Sequence, residues 1–118
     1  MAKLFLIVIL ILSVYVMSTY LNAEDAQQEQ IGEVLFNKHC ASCHPKGGNI
    51  LNPKKTLYKK DLQENKIVAA EDIVKVIRNP GPLPTHPQEW AGMTMFDEKK
   101  ISNEDALKIA DYILKTFK

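Results

Sequence analysis

The stretch CASCH, Cys40–His44, holds the only two cysteines of the chain, with a histidine directly behind the second. Three chemistries use such a stretch: a redox dithiol, half of a metal site, or a place where haem is joined to protein. A thioredoxin-like dithiol needs a βαβ setting, and no segment of this chain alternates convincingly enough to form strands. A zinc site needs four ligands, whereas the remaining candidates, His39 and His86, are scattered. A plain disulfide would leave His44 without a role. C-x-x-C-H is the spacing of covalent haem attachment. Two thiols three residues apart on a helical turn can reach both vinyl groups on one porphyrin edge, and the next residue then directs its imidazole at the iron. On this reading Cys40 and Cys43 form thioethers and His44 is the proximal ligand.

Working outward, the segment before the motif reads as a helix. Asp25 is its expected cap, with Gln28 as box partner, and Ile31, Val34 and Leu35 fall at helical spacing with Phe36 beside them. Gly32 is a poor helix former and reads as a notch where another helix crosses closely. Pro45, Gly47 and Gly48 end the element.

After the motif, Asn52 and Pro53 predict a short helix carrying Leu57, Tyr58, Asp61 and Leu62. A third helix begins near Ala70, with Ile73, Val74 and Ile77 on one face, and stops before Pro80 and Pro82. Residues 79–96 contain four prolines and two glycines and predict an extended loop. The final helix is capped by Ser102 with Asp105; Ala106, Leu107, Ala110, Ile113, Leu114 and Phe117 form its apolar stripe. The fold class is all-α.

The N-terminal end is a different kind of sequence. Lys3 precedes an apolar run from Leu4 to Val16 broken only by Ser13, followed by small and polar residues. That is the pattern of a secretory signal, with the cut expected after Ala23, although Leu21 is larger than a signal peptidase prefers. The rival is an uncleaved anchor over residues 4–21, at the short end of a spanning helix. The expected organisation is therefore residues 1–23 as signal and 24–118 as one domain. Lys3 leaves with the signal, so 14 of the 15 basic residues face 14 acidic ones in the remainder. Such balance argues against a nucleic-acid binder. Export supports haem attachment, which takes place outside the cytoplasm, so the periplasm is the expected location.

An electron carrier needs a second axial ligand. Met93, Met95 and His86 are the candidates in the proline-rich loop, and Met93, which opens MTMF, is preferred over the other two. A methionine in such a loop ordinarily packs; beside a haem motif, ligation is the better reading, and Met/His ligation raises the potential. His39 reads as a surface histidine facing away from the iron side. The second function class is a small haem enzyme or gas sensor with an open or labile sixth site. Lys54, Lys55, Lys59 and Lys60 read either as a solvated helix face or as a patch that steers acidic partners.

Taken together, these residues resemble the class I c-type cytochromes, and within them the short cytochrome c-six kind. The resemblance rests on CASCH, on GGNILNPKKTL after it, on MTMF as an M-x-x-F ligand loop, and on ISNEDALKIADYILKTF. It spans roughly Gln30 to Phe117 in order. It implies about four helices wrapped around one covalent haem c, with the first and last helices crossing at Gly32 beside Phe36 and Tyr112. It also implies that His44 donates its second ring N–H to a carbonyl in the Gly47–Pro53 loop. The family carries single electrons between redox partner proteins and is not enzymatic. A monomer is expected, with a membrane involved only if the N-terminal segment is retained. Photosynthetic members carry glutamine where this chain has Val76, which implies a lower potential here. The loop before Met93 is longer than usual; its Trp90 either covers the haem edge or fills the core.

Overall fold

The computed structural model describes residues 2–81 and 92–118. His86 and Trp90 lie outside the described residues. The described residues are helical, with no strand among them: α1 (Ala2–His39), a single 3₁₀ turn (Pro45–Gly47), α2 (Lys59–Glu64), α3 (Ala70–Arg78) and α4 (Asn103–Thr116).

α1 runs unbroken where a helix start at Asp25 was expected. Neither glycine nor proline occurs between Lys3 and Gln30, so nothing ends the hydrogen-bond ladder. Asp25 therefore lies inside the helix, and its carboxylate takes Lys115 Nζ of α4 at 3.1 Å. None of the apolar window at the start of α1 is buried.

α1 and α4 cross at Gly32. A Cβ built there would stand 2.4 Å from the Lys108 carbonyl oxygen and 2.9 Å from Tyr112 Cβ, so only glycine allows this approach. The aromatic residues predicted at the crossing are present: Phe36 lies 5.4 Å from Tyr112 and 5.3 Å from Phe117, centroid to centroid. The buried face of α1 is not the one its apolar residues suggested. Val34 is 61% exposed and Ile31 37%, while Phe36 is 2% exposed. Gly32, Phe36 and Cys40 recur every four residues and so share one face, and the glycine notch decides which face meets α4.

α4 follows its predicted cap: Ser102 Oγ accepts from the Asp105 N–H at 3.1 Å. Its stripe is shifted, because Leu107 is 38% exposed and fully buried Ile109 takes the centre with Ala106, Ala110 and Ile113. α3 also stops where predicted, burying Ile73 and Ile77. Asp72 reaches back to the N–H groups of Val68 and Ala69, both at 3.2 Å, and satisfies two donors that a helix start leaves open.

α2 begins at Lys59, later than Asn52 and Pro53 predicted. Those two residues form a turn instead, with the Lys55 N–H donating to Asn52 O at 2.9 Å and the Lys54 N–H to its Oδ1 at 3.0 Å. The Thr56 hydroxyl then accepts from the Tyr58 N–H and donates to the Asp61 carboxylate, which starts the helix late. The backbone freed by this delay binds the loop after CASCH: the Leu57 N–H donates to Gly47 O at 2.7 Å.

Candidate functional site

CASCH continues directly from α1 as a tight turn. The Cys40 N–H still donates to Phe36 O at 2.8 Å, and the N–H groups of Cys43 and His44 donate to Cys40 O at 3.1 and 2.8 Å. Both cysteines are free, Cys40 half-buried and Cys43 exposed. The helix face shared with Phe36 thus delivers Cys40 to the core while Cys43 stays at the edge. Burial, reinforced by Cys43, pushes the Cys40 thiol up to about 11. A protonated thiol is a poor nucleophile at neutral pH, which counts against a redox dithiol.

The 3₁₀ turn then reverses the chain through two residues with positive φ, Lys46 at 53° and Gly47 at 82°. Gly47 has no substitute, since a Cβ there would also stand 2.5 Å from the Phe117 ring. The reversal places the Gly48 carbonyl 2.8 Å from His44 Nδ1. This is the predicted hydrogen bond to a carbonyl of the Gly47–Pro53 loop, with its acceptor now named: Nδ1 is the donor and Nε2 is left with its lone pair. Burial lowers the His44 pKa, opposed by the Gly48 bond, so the imidazole is held neutral, the form that binds a metal.

A cavity opens beside this turn, with about 90 Å³ of space for the centres of water-sized groups. Cys40, His44, Met93 and a largely apolar wall that includes Leu57, Ile73, Val76, Ile77 and Ile113 line it. A second space at the Cys43 edge shares Cys40, His44, Asn49 and Met93 with the first, so the two adjoin. A flat apolar group joined at Cys40 and Cys43 fits this arrangement: an apolar slot, two free thiols on one turn, and a neutral imidazole oriented by a carbonyl.

Of the two second-ligand candidates among the described residues, Met93 and Met95, Met93 lines the cavity. Met95 is 62% exposed. His39 departs from expectation. It is half-buried and edge-on to Phe96, with ring centroids 6.3 Å apart, and it lines the Cys43-side space together with Met93. Burial, followed by the charges of Lys38 and Lys100, lowers its pKa against the pull of Asp105. Lys55 also departs from the expected surface patch, being only 6% exposed and part of the cavity wall, whereas Lys54, Lys59 and Lys60 are exposed.

Two residues of the site were not singled out in the sequence. Asn49 locks the loop, accepting from the N–H groups of Leu51 and Asn52 at 2.9 and 3.0 Å and donating to Lys55 O at 2.8 Å. Arg78 binds the segment after Met93. Its signal was available, because it is the only arginine in the chain.

The family described as cytochrome c oxidase, cbb3-type, subunit III matches residues 27–113. A cytochrome c6-like protein of Nostoc sp. is 33% identical over 75 residues, 64% of this chain and 68% of that protein. OmcF, outer membrane cytochrome F from Geobacter sulfurreducens, superposes with a TM-score of 0.64 at 42% identity, over 74% of this chain and 99% of that one. The chain belongs to this family, as a small mono-haem class I c-type cytochrome. The chloroplastic cytochrome c6 of Arabidopsis thaliana is 47% identical over 47 residues, which is 40% of this chain and 27% of the plant protein. The cytochrome binds one covalent haem c and works in electron transfer.

Within it, Val76 lines the cavity wall as a half-buried side chain. An amide there would bring a donor N–H into an apolar slot, and such donors favour the less positive, reduced iron. Val76→Gln is expected to raise the midpoint potential, by on the order of tens of millivolts. A redox titration checks this, and an unmoved midpoint would remove Val76 as a determinant.

Proposed function

We propose that this cytochrome is a one-electron carrier of the periplasm, in which Cys40 and Cys43 would attach the haem through thioethers and His44 and Met93 would hold its iron. The observation that carries the reading is the pairing of His44, fixed through Nδ1 to the Gly48 carbonyl, with Met93 on the wall of the same cavity. Haem c supplies reversible Fe(III)/Fe(II) chemistry when bound. Each group of the chain has a defined task around it. Gly48 sets the tautomer of His44, so Nε2 keeps a lone pair with which it would hold the metal. Met93 offers a soft thioether, a donor that would favour Fe(II) and, once bound, would leave no position for a substrate. The apolar wall keeps water out, and Cys43 at the surface marks the edge nearest a partner.

Absorption spectra of the purified protein, oxidised and reduced, with and without CO, test the reading. The expected result is a sharp low-spin reduced spectrum, a weak far-red sulfur–iron band when oxidised, and indifference to CO. A high-spin spectrum that shifts with CO would instead assign an open site, as in a small haem enzyme or gas sensor.

The same reading assigns residues 1–23 to an export signal and 24–118 to the domain that remains. A cut after Ala23 would place Glu24 and Asp25 in the first turn of the trimmed helix, where carboxylates oppose the positive end of the helix dipole. It would leave the Asp25–Lys115 pair intact. Intact-mass measurement on protein from the exporting cell checks the cut. Retention of residues 4–21 would make the cytochrome a tethered carrier, because that stretch reaches about 27 Å against a bilayer core of about 30 Å.

A further inference from the structure

The chain has 15 basic side chains, and Arg78 is the only arginine among them. It is the last residue of α3, and its guanidinium makes three hydrogen bonds to one neighbouring segment. Nη1 donates to Phe96 O at 2.8 Å, while Nη2 donates to Ile101 O at 2.9 Å and to Asn103 Oδ1 at 2.8 Å. Asn103 is itself oriented, since its Nδ2 donates to Glu98 at 2.8 Å. The preceding residue of α3 completes the grip, for the Phe96 N–H donates to Ile77 O at 3.0 Å. Phe96 is therefore held through both its N–H and its C=O by adjacent residues at the end of one helix.

Met93 lies three residues before this fixed point, and three residues reach at most about 10 Å. A clamp at Phe96 confines the Met93 thioether to the neighbourhood of the cavity it lines. We infer that Arg78 is a positioning residue for Met93: its guanidinium fork ties the ligand loop to α3 and to the start of α4, and so sets how firmly the thioether is held at the iron. The inference rests on Met93 being the sixth ligand.

A thioether is a weak donor, so its occupancy depends on how little the loop must be ordered to present it. Three acceptors at different angles suit a planar fork with several donors. Lysine, which fills the other 14 basic positions, offers a compact point charge and no such fork. Without the fork, the detached form of the loop becomes more populated. The apparent affinity of any external ligand for the vacated position rises by the same factor.

The test is an imidazole titration of the oxidised holoprotein, followed through the far-red sulfur–iron band, for wild type, Arg78→Gln and Arg78→Lys. Arg78→Gln is expected to bind imidazole about tenfold more tightly or better, the result of losing charge-assisted hydrogen bonds. Arg78→Lys is expected to fall between, and far-UV circular dichroism is expected to show unchanged helix content in both. A wild type without the far-red band would overturn the Met93 assignment, and this inference with it. A band that is present, with imidazole affinity unmoved in both variants, would overturn the role of Arg78 alone. A lowered melting temperature with unmoved affinity counts in the same way, since it would leave Arg78 a purely structural part. Arg78→Lys keeps charge and length, so it carries the comparison if Arg78→Gln does not fold; failure of both to fold would likewise reduce Arg78 to structure.

Discussion

Met93→Ala is expected to abolish the far-red band of the oxidised protein and to lower the midpoint potential by on the order of 100 mV, within the roughly 0.8 V that axial ligands span. The effect should be large because Met95, the other methionine candidate, is poorly placed to take over. Met95 is two residues along and 62% exposed, so recruiting it would require the loop to shift against the Phe96 anchor. Truncation at Met93 also removes a side chain from the wall of the cavity, which opens the position to small ligands. CO is expected to shift the reduced spectrum of the variant and not that of wild type. Redox titration and CO-difference spectra on the same preparation check both halves. An unchanged native spectrum would move the ligand role to Met95 or His86.

The second large effect concerns stability, and its sign is not the one that helix propensity gives. Replacing a mid-helix glycine by alanine ordinarily gains about 1 kcal/mol. At Gly32 the added carbon would stand 2.4 Å from the Lys108 carbonyl oxygen, a backbone atom that cannot rotate away. The helices must separate, loosening the stacking of Phe36 on Tyr112 and Phe117. Overpacking costs about 1–3 kcal/mol in general, and a backbone obstacle belongs at the upper end. Gly32→Ala is therefore expected to destabilise by about 2 kcal/mol net, or about 10 °C in melting temperature for a domain of this size. The visible spectrum should be unchanged at room temperature, because Gly32 does not line the cavity. Thermal melting followed at the haem bands and in the far-UV checks this, and a raised melting temperature would show that the crossing has room to spare.

Some of this was legible in the sequence for a physical reason. The motif is local, so its chemistry can be read without knowing the fold. Gly32 announced a close crossing because nothing else explains a glycine in that helix. The faces of the helices were harder. Ile31 and Val34 looked like core because they are apolar and correctly spaced, yet the face that meets α4 is chosen by the smallest residue. The delayed start of α2 was hidden because Asn52 and Pro53 suit a turn as well as a helix, and the loop after CASCH decides between them. Arg78 was passed over as one more charge among many. Its acceptors, Phe96, Ile101 and Asn103, belong to a segment that pattern alone does not place against α3.

The contacts of Gly32 and Gly47 bear on the order in which the molecule can be put together. Gly32 and Gly47 flank the attachment motif, and both meet residues between Lys108 and Phe117. The Phe117 carbonyl also accepts the N–H of Lys59 at 3.0 Å, next to the segment that holds Gly47. The proposed export, N-terminal end first, would deliver Cys40, Cys43 and His44 well before α4, whose Ile113 lines the cavity beside Cys40 and His44. Until α4 arrives, the motif lies on an open helix end, accessible to whatever machinery forms the thioether bonds. Closure by α4 would then restrict access on the half-buried Cys40 side while Cys43 stays at the surface, so ligation at Cys40 would precede the last step of folding.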